Sequence, residues 1–168
     1  KEVTGRYKEV TASVSNFVPK PHTPYQWNGM QSREYFLWVG EYLRRRKRNR
    51  FVTIKQHDIE TSLLEGILTR GDRRIAPALY KAWQRGARFD GWRECFRPHL
   101  WHQTFADLGI DVEFYRSRPR PLTERLPWDH IQVKKGRAYL QKEQERSVLQ
   151  LQVLAQAVAP NSSPSCGG

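Results

Sequence analysis

The stretch VTASVSNFVPKPHTPYQW, residues Val10–Trp27, decides how the rest of the chain is read. It opens with β-branched Val10, Thr11 and Val14, which favour a strand. Pro19, Pro21 and Pro24 then bar a helix or a central strand from continuing. Lys20, His22 and Thr23 lie among these prolines, flanked by the rings of Phe17, Tyr25 and Trp27. A strand that ends in a stiff loop of polar, charged and aromatic groups is how α/β proteins line a site at the carboxyl end of a sheet. Lys20 has the charge to meet a phosphate or a carboxylate, and His22 can bind a ligand or move a proton. The same residues also read as the packing of a turn, and both readings stand at this point.

Downstream, Ser32 is placed to cap a helix. Tyr35, Trp38, Val39, Tyr42 and Leu43 recur at helical spacing. That helix runs into the basic stretch 44–50, and Phe51–Lys55 reads as a second strand. Strand, loop, helix, strand is a βαβ unit, which predicts parallel pairing. Asp58 caps a helix carrying Leu63, Leu64, Ile67 and Leu68. A second helix over 75–84 shows Ile75, Leu79, Tyr80 and Trp83 on one stripe, and a third covers 98–108. Residues 111–128 are rich in proline and read as extended. A long helix is expected over 136–158, then a disordered tail.

The chain has 168 residues, enough for one ordinary domain, with 38% hydrophobic residues and six tryptophans. No run of about 18 apolar residues exists, so no membrane span is expected. The first 30 residues carry no apolar signal-peptide core. The 29 lysines and arginines against 17 acids give a net charge of +12. That points to an anionic partner such as RNA or a nucleotide, or to an acidic face of a larger assembly; no DNA partner is expected. Cys95 and Cys166 are the two cysteines. Their scarcity suits a reducing, cytoplasmic setting, with a Cys95–Cys166 disulfide as the lesser alternative. No zinc spacing is present, the His99/His102 pair has no third ligand nearby in sequence, and no metal site is expected. G-x-S-x-G, P-loop and G-x-G-x-x-G motifs are absent, so those enzyme classes have no support.

Each remaining candidate has two readings. His57 and Asp58 follow the second strand: the imidazole can reach a substrate with Asp58 orienting it, or Asp58 simply caps the next helix. Asp72, Arg73 and Arg74 form either an anion-contacting group or a structural salt-bridge hub. Arg44, Arg45, Arg46, Lys47 and Arg48 either touch RNA phosphates or form a solvated end that favours the helix dipole.

Several segments, in order, resemble a known family. They are FVPKPHTPYQW at 17–27, HD at 57–58, LLEG at 63–66, RGDRR at 70–74, RFDGW at 88–92, LW at 100–101 and PLTERLPWDHI at 121–131. Together they resemble the C-terminal part of radical SAM proteins that carry an N-terminal cobalamin-binding-type domain. The resemblance implies an α/β fold in which residues 1–57 are the last strands and helix of a (β/α) barrel. Residues 58–158 would be a helical extension and 159–168 a tail. It implies that Asn16, Lys20, His22 and Thr23 face a site holding S-adenosylmethionine and a 4Fe–4S cluster, with cobalamin a further candidate in the full-length protein. His57 and Asp58 are the other candidates for the cofactor or substrate side. The cluster needs three cysteines in a C-x-x-x-C-x-x-C pattern, and this sequence has none. The expectation is therefore a C-terminal fragment, inactive alone, whose first partner is the N-terminal portion of the same protein. This also fits a chain that starts at Lys1 and a lone βαβ unit, which cannot cover both faces of a parallel sheet. The alternative is a basic, non-catalytic RNA-binding module.

Overall fold

A computed structural model describes residues 8–158 of the chain. The expected tail at 159–168, with Cys166, lies outside the described residues. Strand β1 covers Val10–Val14, helix α1 Arg33–Arg46 and strand β2 Val52–Gln56. The two strands pair in parallel, with Val10 opposite Val52 and Val14 opposite Gln56, as the βαβ reading requires. Ser32 caps α1, its hydroxyl accepting from Tyr35 N at 3.2 Å. Helix α2, Ile59–Arg70, starts on Asp58, whose carboxylate accepts from Thr61 N at 2.8 Å. A 3-10 turn at Arg73–Ile75 leads into α3, Ala76–Gln84, followed by α4, Pro98–Asp107. Gly86, at φ +95, lets the chain leave α3 in the left-handed region. Helix α6 runs over Gly136–Val158.

The expected extended stretch 111–128 contains one further helix, α5, Val112–Arg116. Asp111 nucleates it, its carboxylate accepting from Glu113 N at 3.0 Å and Phe114 N at 3.2 Å. Residues 111–118 contain no proline, which leaves room for this short helix, and the prolines begin only at Pro119.

The fold class expected from the resemblance, a C-terminal piece of a (β/α) barrel, is not what the chain forms. The molecule is mostly helical, at 50%, and its sheet has two strands. Only one βαβ unit is encoded; after β2 the described chain runs through helices without a returning strand. The main core accordingly lies between helices, not on the sheet. Leu64 and Ile67 of α2, Ala78 and Ala82 of α3, Trp101 and Phe105 of α4 and Tyr115 of α5 are buried together. A second cluster joins Trp27 to Leu126, Trp128 and Leu140, and a third joins Met30, Phe36 and Leu63.

Two helices bury a different stripe from the one their large side chains suggest. α3 turns Ala78 and Ala82 inward, both at 0% exposure, and leaves Leu79, Tyr80 and Trp83 outside. Small residues let α3 approach α4 closely, and that contact outweighs the burial of larger rings. α1 likewise buries Phe36 and Gly40 and exposes Tyr35, Trp38 and Tyr42. An added Cβ on Gly40 would collide with the Gln56 side-chain amide, so this glycine sets the distance between α1 and β2.

Candidate functional site

Both strands end at the same edge, because Val14 pairs with Gln56. The chain segments leaving that edge, 15–29 and 57–58, carry most of the candidates read from the sequence. Asn16 sits at its centre and is 9% exposed. Its amide nitrogen donates to Ser62 Oγ at 2.9 Å and to the carbonyls of His57 at 3.3 Å and Asp58 at 3.5 Å. Its carbonyl oxygen accepts from Gln56 Nε2 at 3.3 Å, and that amide also reaches Phe36 O at 3.0 Å. Asn16 thus ties the ends of β1 and β2 to the start of α2. With its amide donors and acceptor engaged inside the protein, it acts as a brace rather than as a contact to a ligand.

The remaining candidates divide among three places. Lys20 forms an ion pair with Glu65 on α2. Thr23 Oγ1 donates to Lys20 O at 2.8 Å, which closes the proline loop on itself. His57 and Asp58 are exposed. His57 N continues the ladder by donating to Val14 O at 3.0 Å, and Asp58 serves as the helix cap.

His22 is the candidate the geometry favours. Its backbone is left-handed, at φ +57, a region disfavoured for a residue with a Cβ. Its N–H donates to Gln26 Oε1 at 3.0 Å. The ring is half-buried and lines a cavity of about 430 Å³ with Gln26, Arg125, Asp129, Arg137 and Leu140. Arg137 and Asp129 are ion-paired there, and Arg137 Nη2 also donates to Leu122 O at 2.6 Å and Glu124 O at 2.8 Å. The cavity therefore offers an imidazole, carried on the loop that leaves β1, beside a fixed acid–base pair.

Behind this loop lies a network that sequence reading did not pick out. Arg70 is fully buried, donating to Arg116 O and to Arg118 O, the latter at 2.7 Å. Arg120, 6% exposed, donates to Arg70 O at 2.7 Å. Arg118 grips Glu124 through two bonds at 2.7 and 2.8 Å. Burial, helped by the charges of Arg120 and Arg118, pushes the Arg70 guanidinium down to about 10. The hydrogen bonds from Arg118 hold the Glu124 carboxyl below its usual range. The RGDRR motif gave the signal, but it directed attention to the exposed arginines and not to Arg70.

Asp72 and Arg74 form the salt-bridge hub. Arg74 Nη2 donates to Asp72 Oδ2 at 2.6 Å, and Tyr115 OH donates to Asp72 Oδ1 at 3.3 Å. Those Arg74 bonds bring Asp72 down to about 2. Arg73 is exposed, as are Arg44, Arg45, Arg46, Lys47 and Arg48.

A second cavity, about 600 Å³, opens between α2, α4 and the start of α1. Leu63, Ile67, Trp101 and Phe105 line it together with Glu60 and His102. Glu60 holds Arg33 at 2.7 Å and His102 at 3.2 Å, so His102 is engaged with a carboxylate, not paired with His99. Among the described residues no group of three or more His, Cys, Asp or Glu side chains could hold a metal ion. Among the described residues no helix is long and apolar enough to cross a membrane.

No protein-family model matches the chain. No curated protein and no solved structure matches it either.

Proposed function

We propose that the chain is the C-terminal, non-catalytic part of a radical SAM protein of the family with an N-terminal cobalamin-binding-type domain. The observation that carries this reading is the convergence of the segments that bear the resemblance. Gln26 of the proline loop accepts from Trp128 of PLTERLPWDHI at 2.6 Å, across 102 residues. Lys20 of the same loop pairs with Glu65 of LLEG. Asn16 joins the HD pair, and Arg70 of RGDRR holds the backbone just before the last motif. FVPKPHTPYQW, LLEG and PLTERLPWDHI thus meet at the loop that leaves β1.

On this reading the chain contributes a βαβ unit, whose outgoing loop carries His22 and Gln26 to a cavity shared with Asp129 and Arg137. It does not hold the cluster. Cys95 is the one cysteine among the described residues, and a cluster takes several thiolates. The cluster, S-adenosylmethionine and any cobalamin then belong to the N-terminal portion of the parent protein, which is this chain's partner. Chemistry that starts from a reduced cluster suits a cytoplasmic setting.

The reading frame upstream of the Lys1 codon tests this directly. It is expected to continue into a segment encoding C-x-x-x-C-x-x-C; an upstream frame closed by a stop codon, with no such segment in a neighbouring gene, overturns the reading. Treating the isolated chain with iron and sulfide is expected to give no cleavage of S-adenosylmethionine. A stable 4Fe–4S cluster that cleaves it would show that the chain is itself the catalyst.

A further inference from the structure

Helix α1 exposes an unbroken row of rings. Tyr35, Trp38 and Tyr42 are 44%, 57% and 41% exposed, although Phe36 one position away is buried. Their spacing of three and four residues sets them on one stripe. Centroids are 5.8 Å apart from Tyr35 to Trp38 and 5.4 Å from Trp38 to Tyr42. The row continues into Arg46, whose guanidinium lies 4.8 Å from the Tyr42 centroid. Tyr35 to Arg46 spans about 16 Å of helix.

The row ends where the basic run begins. Arg44, Arg45, Arg46, Lys47, Arg48 and Arg50 are all exposed. Among the described residues Glu41, bonded to Arg45, is the one carboxylate paired with this run. The helix dipole accounts for cations in the last turn of α1, but its effect fades beyond that turn, and Lys47, Arg48 and Arg50 lie past it. Residues 44–50 themselves contain no aromatic side chains. The helix supplies them, by setting the tilted rings in a row along the axis that leads into the charges.

We infer that this face of α1 binds a single-stranded nucleic acid, bases lying on Tyr35, Trp38 and Tyr42 and phosphates meeting the run 44–50. Aromatic platforms beside a cationic track are the physical requirement for binding single strands without reading sequence. The net charge of +12 supplies the long-range attraction. A protein partner covering an apolar face gives no reason for the adjoining run of exposed cations. The inference is independent of the radical SAM reading and survives its failure.

Fluorescence anisotropy of the full chain with labelled oligouridylate and oligothymidylate of about 12 nucleotides tests it. Binding of at least one is expected, tighter than to a duplex of the same length and weakening steeply with salt. Trp38→Ala is expected to weaken it by about 5- to 150-fold, the range for loss of one stacking base. Trp38→Phe, which keeps a ring, is expected to restore most of the affinity. Arg44→Ala with Arg46→Ala is expected to flatten the salt dependence by about 0.7 in log–log slope per lost phosphate contact. Trp83, also exposed and capped by Arg88 at 4.6 Å, is the control on another helix. An equal loss from Trp83→Ala overturns the assignment to α1. So does binding that ignores Trp38→Ala, or no salt-sensitive binding at low ionic strength; the last result assigns the ring row to a protein partner.

Discussion

Gln26 and Trp128 are joined by a buried hydrogen bond of 2.6 Å between Nε1 of the indole and Oε1 of the amide. The same oxygen accepts from His22 N at 3.0 Å. One side chain, 2% exposed, therefore fixes both the left-handed turn at His22 and the seat of Trp128. Gln26→Leu would fill similar space yet leave two donors without partners. Each such loss costs about 1–3 kcal/mol, so destabilisation of about 2–6 kcal/mol is expected. Gln26→Glu keeps the acceptor and should cost less. Urea midpoints followed by circular dichroism measure both. Equal stability of Gln26→Leu and the unsubstituted protein would show that the turn is held by packing alone.

Arg70 gives a sharper case, because its charge sits at 0% exposure. It stays only because Arg116 O and Arg118 O accept from it, while its own carbonyl accepts from Arg120. Arg70→Met removes the buried charge and its desolvation cost but orphans two carbonyls. Arg70→Lys keeps the charge and loses the fork that reaches both. Both are expected to destabilise, with Arg70→Met costing about 3 kcal/mol. If Arg70→Lys proves neutral in urea unfolding, the two-carbonyl grip is not what holds the 116–120 segment.

How far the sequence was readable depends on what each residue had to declare. Ser32 and Asp58 gave away their helix starts, because a cap is a local hydrogen bond between near neighbours. The parallel pairing followed from strand, helix and strand in sequence. The barrel did not form, since the described chain encodes one βαβ unit and then helices. The spacing of large apolar residues does not specify which stripe a helix buries: Ala78 with Ala82, and Gly40, hold the interfaces because they are small. Asn16, Lys20, His22 and Thr23 are close in sequence but diverge in space. Asn16 turns to Ser62 and Lys20 to Glu65, while His22 faces a cavity walled by residues from 125–140. Those partners are far along the chain, and no local pattern specifies them.

Asp72 makes stability depend on pH in a defined direction. Hydrogen bonds from Arg74 bring its carboxyl from an ordinary 3.8 down to about 2. A depressed folded pKa contributes stability that is complete above the unfolded value and is lost as pH falls through the folded one. The window is therefore from about pH 4 to about pH 2. Arg74 is 65% exposed, so solvent screening limits the contribution to on the order of 1 kcal/mol. Asp72→Asn keeps a capping oxygen and removes the charge. Its deficit in thermal midpoint against the parent is expected to be constant at pH 5 and above, to shrink below pH 4 and to vanish near pH 2. A deficit that persists unchanged to pH 2 would mean that shape, not charge, sets the role of Asp72.

Two glycines of opposite surroundings test how tightly the proline loop is seated. A Cβ added to Gly29 would fall on the carbonyl oxygen of Ser117, which is backbone and has little room to move. On either side of Gly29 the same two segments are laced together, Met30 N donating to Arg116 O at 3.0 Å and Arg120 N to Trp27 O at 2.8 Å. Gly29→Ala must push these segments apart and weaken both bonds. Overpacking of this kind costs about 1–3 kcal/mol, and the paired hydrogen bonds place Gly29→Ala at the upper end. Gly91 has nothing within contact distance of an added Cβ and no left-handed backbone. Gly91→Ala is expected to be neutral or to stabilise by about 0.4–1 kcal/mol, through the lower entropy of the unfolded chain. Urea unfolding of the two variants side by side gives the comparison. A Gly29→Ala protein as stable as Gly91→Ala would show that the 27–30 and 116–120 segments are not held in register. The cavity at His22, which depends on that seating through Gln26 and Trp128, would then lack a fixed wall.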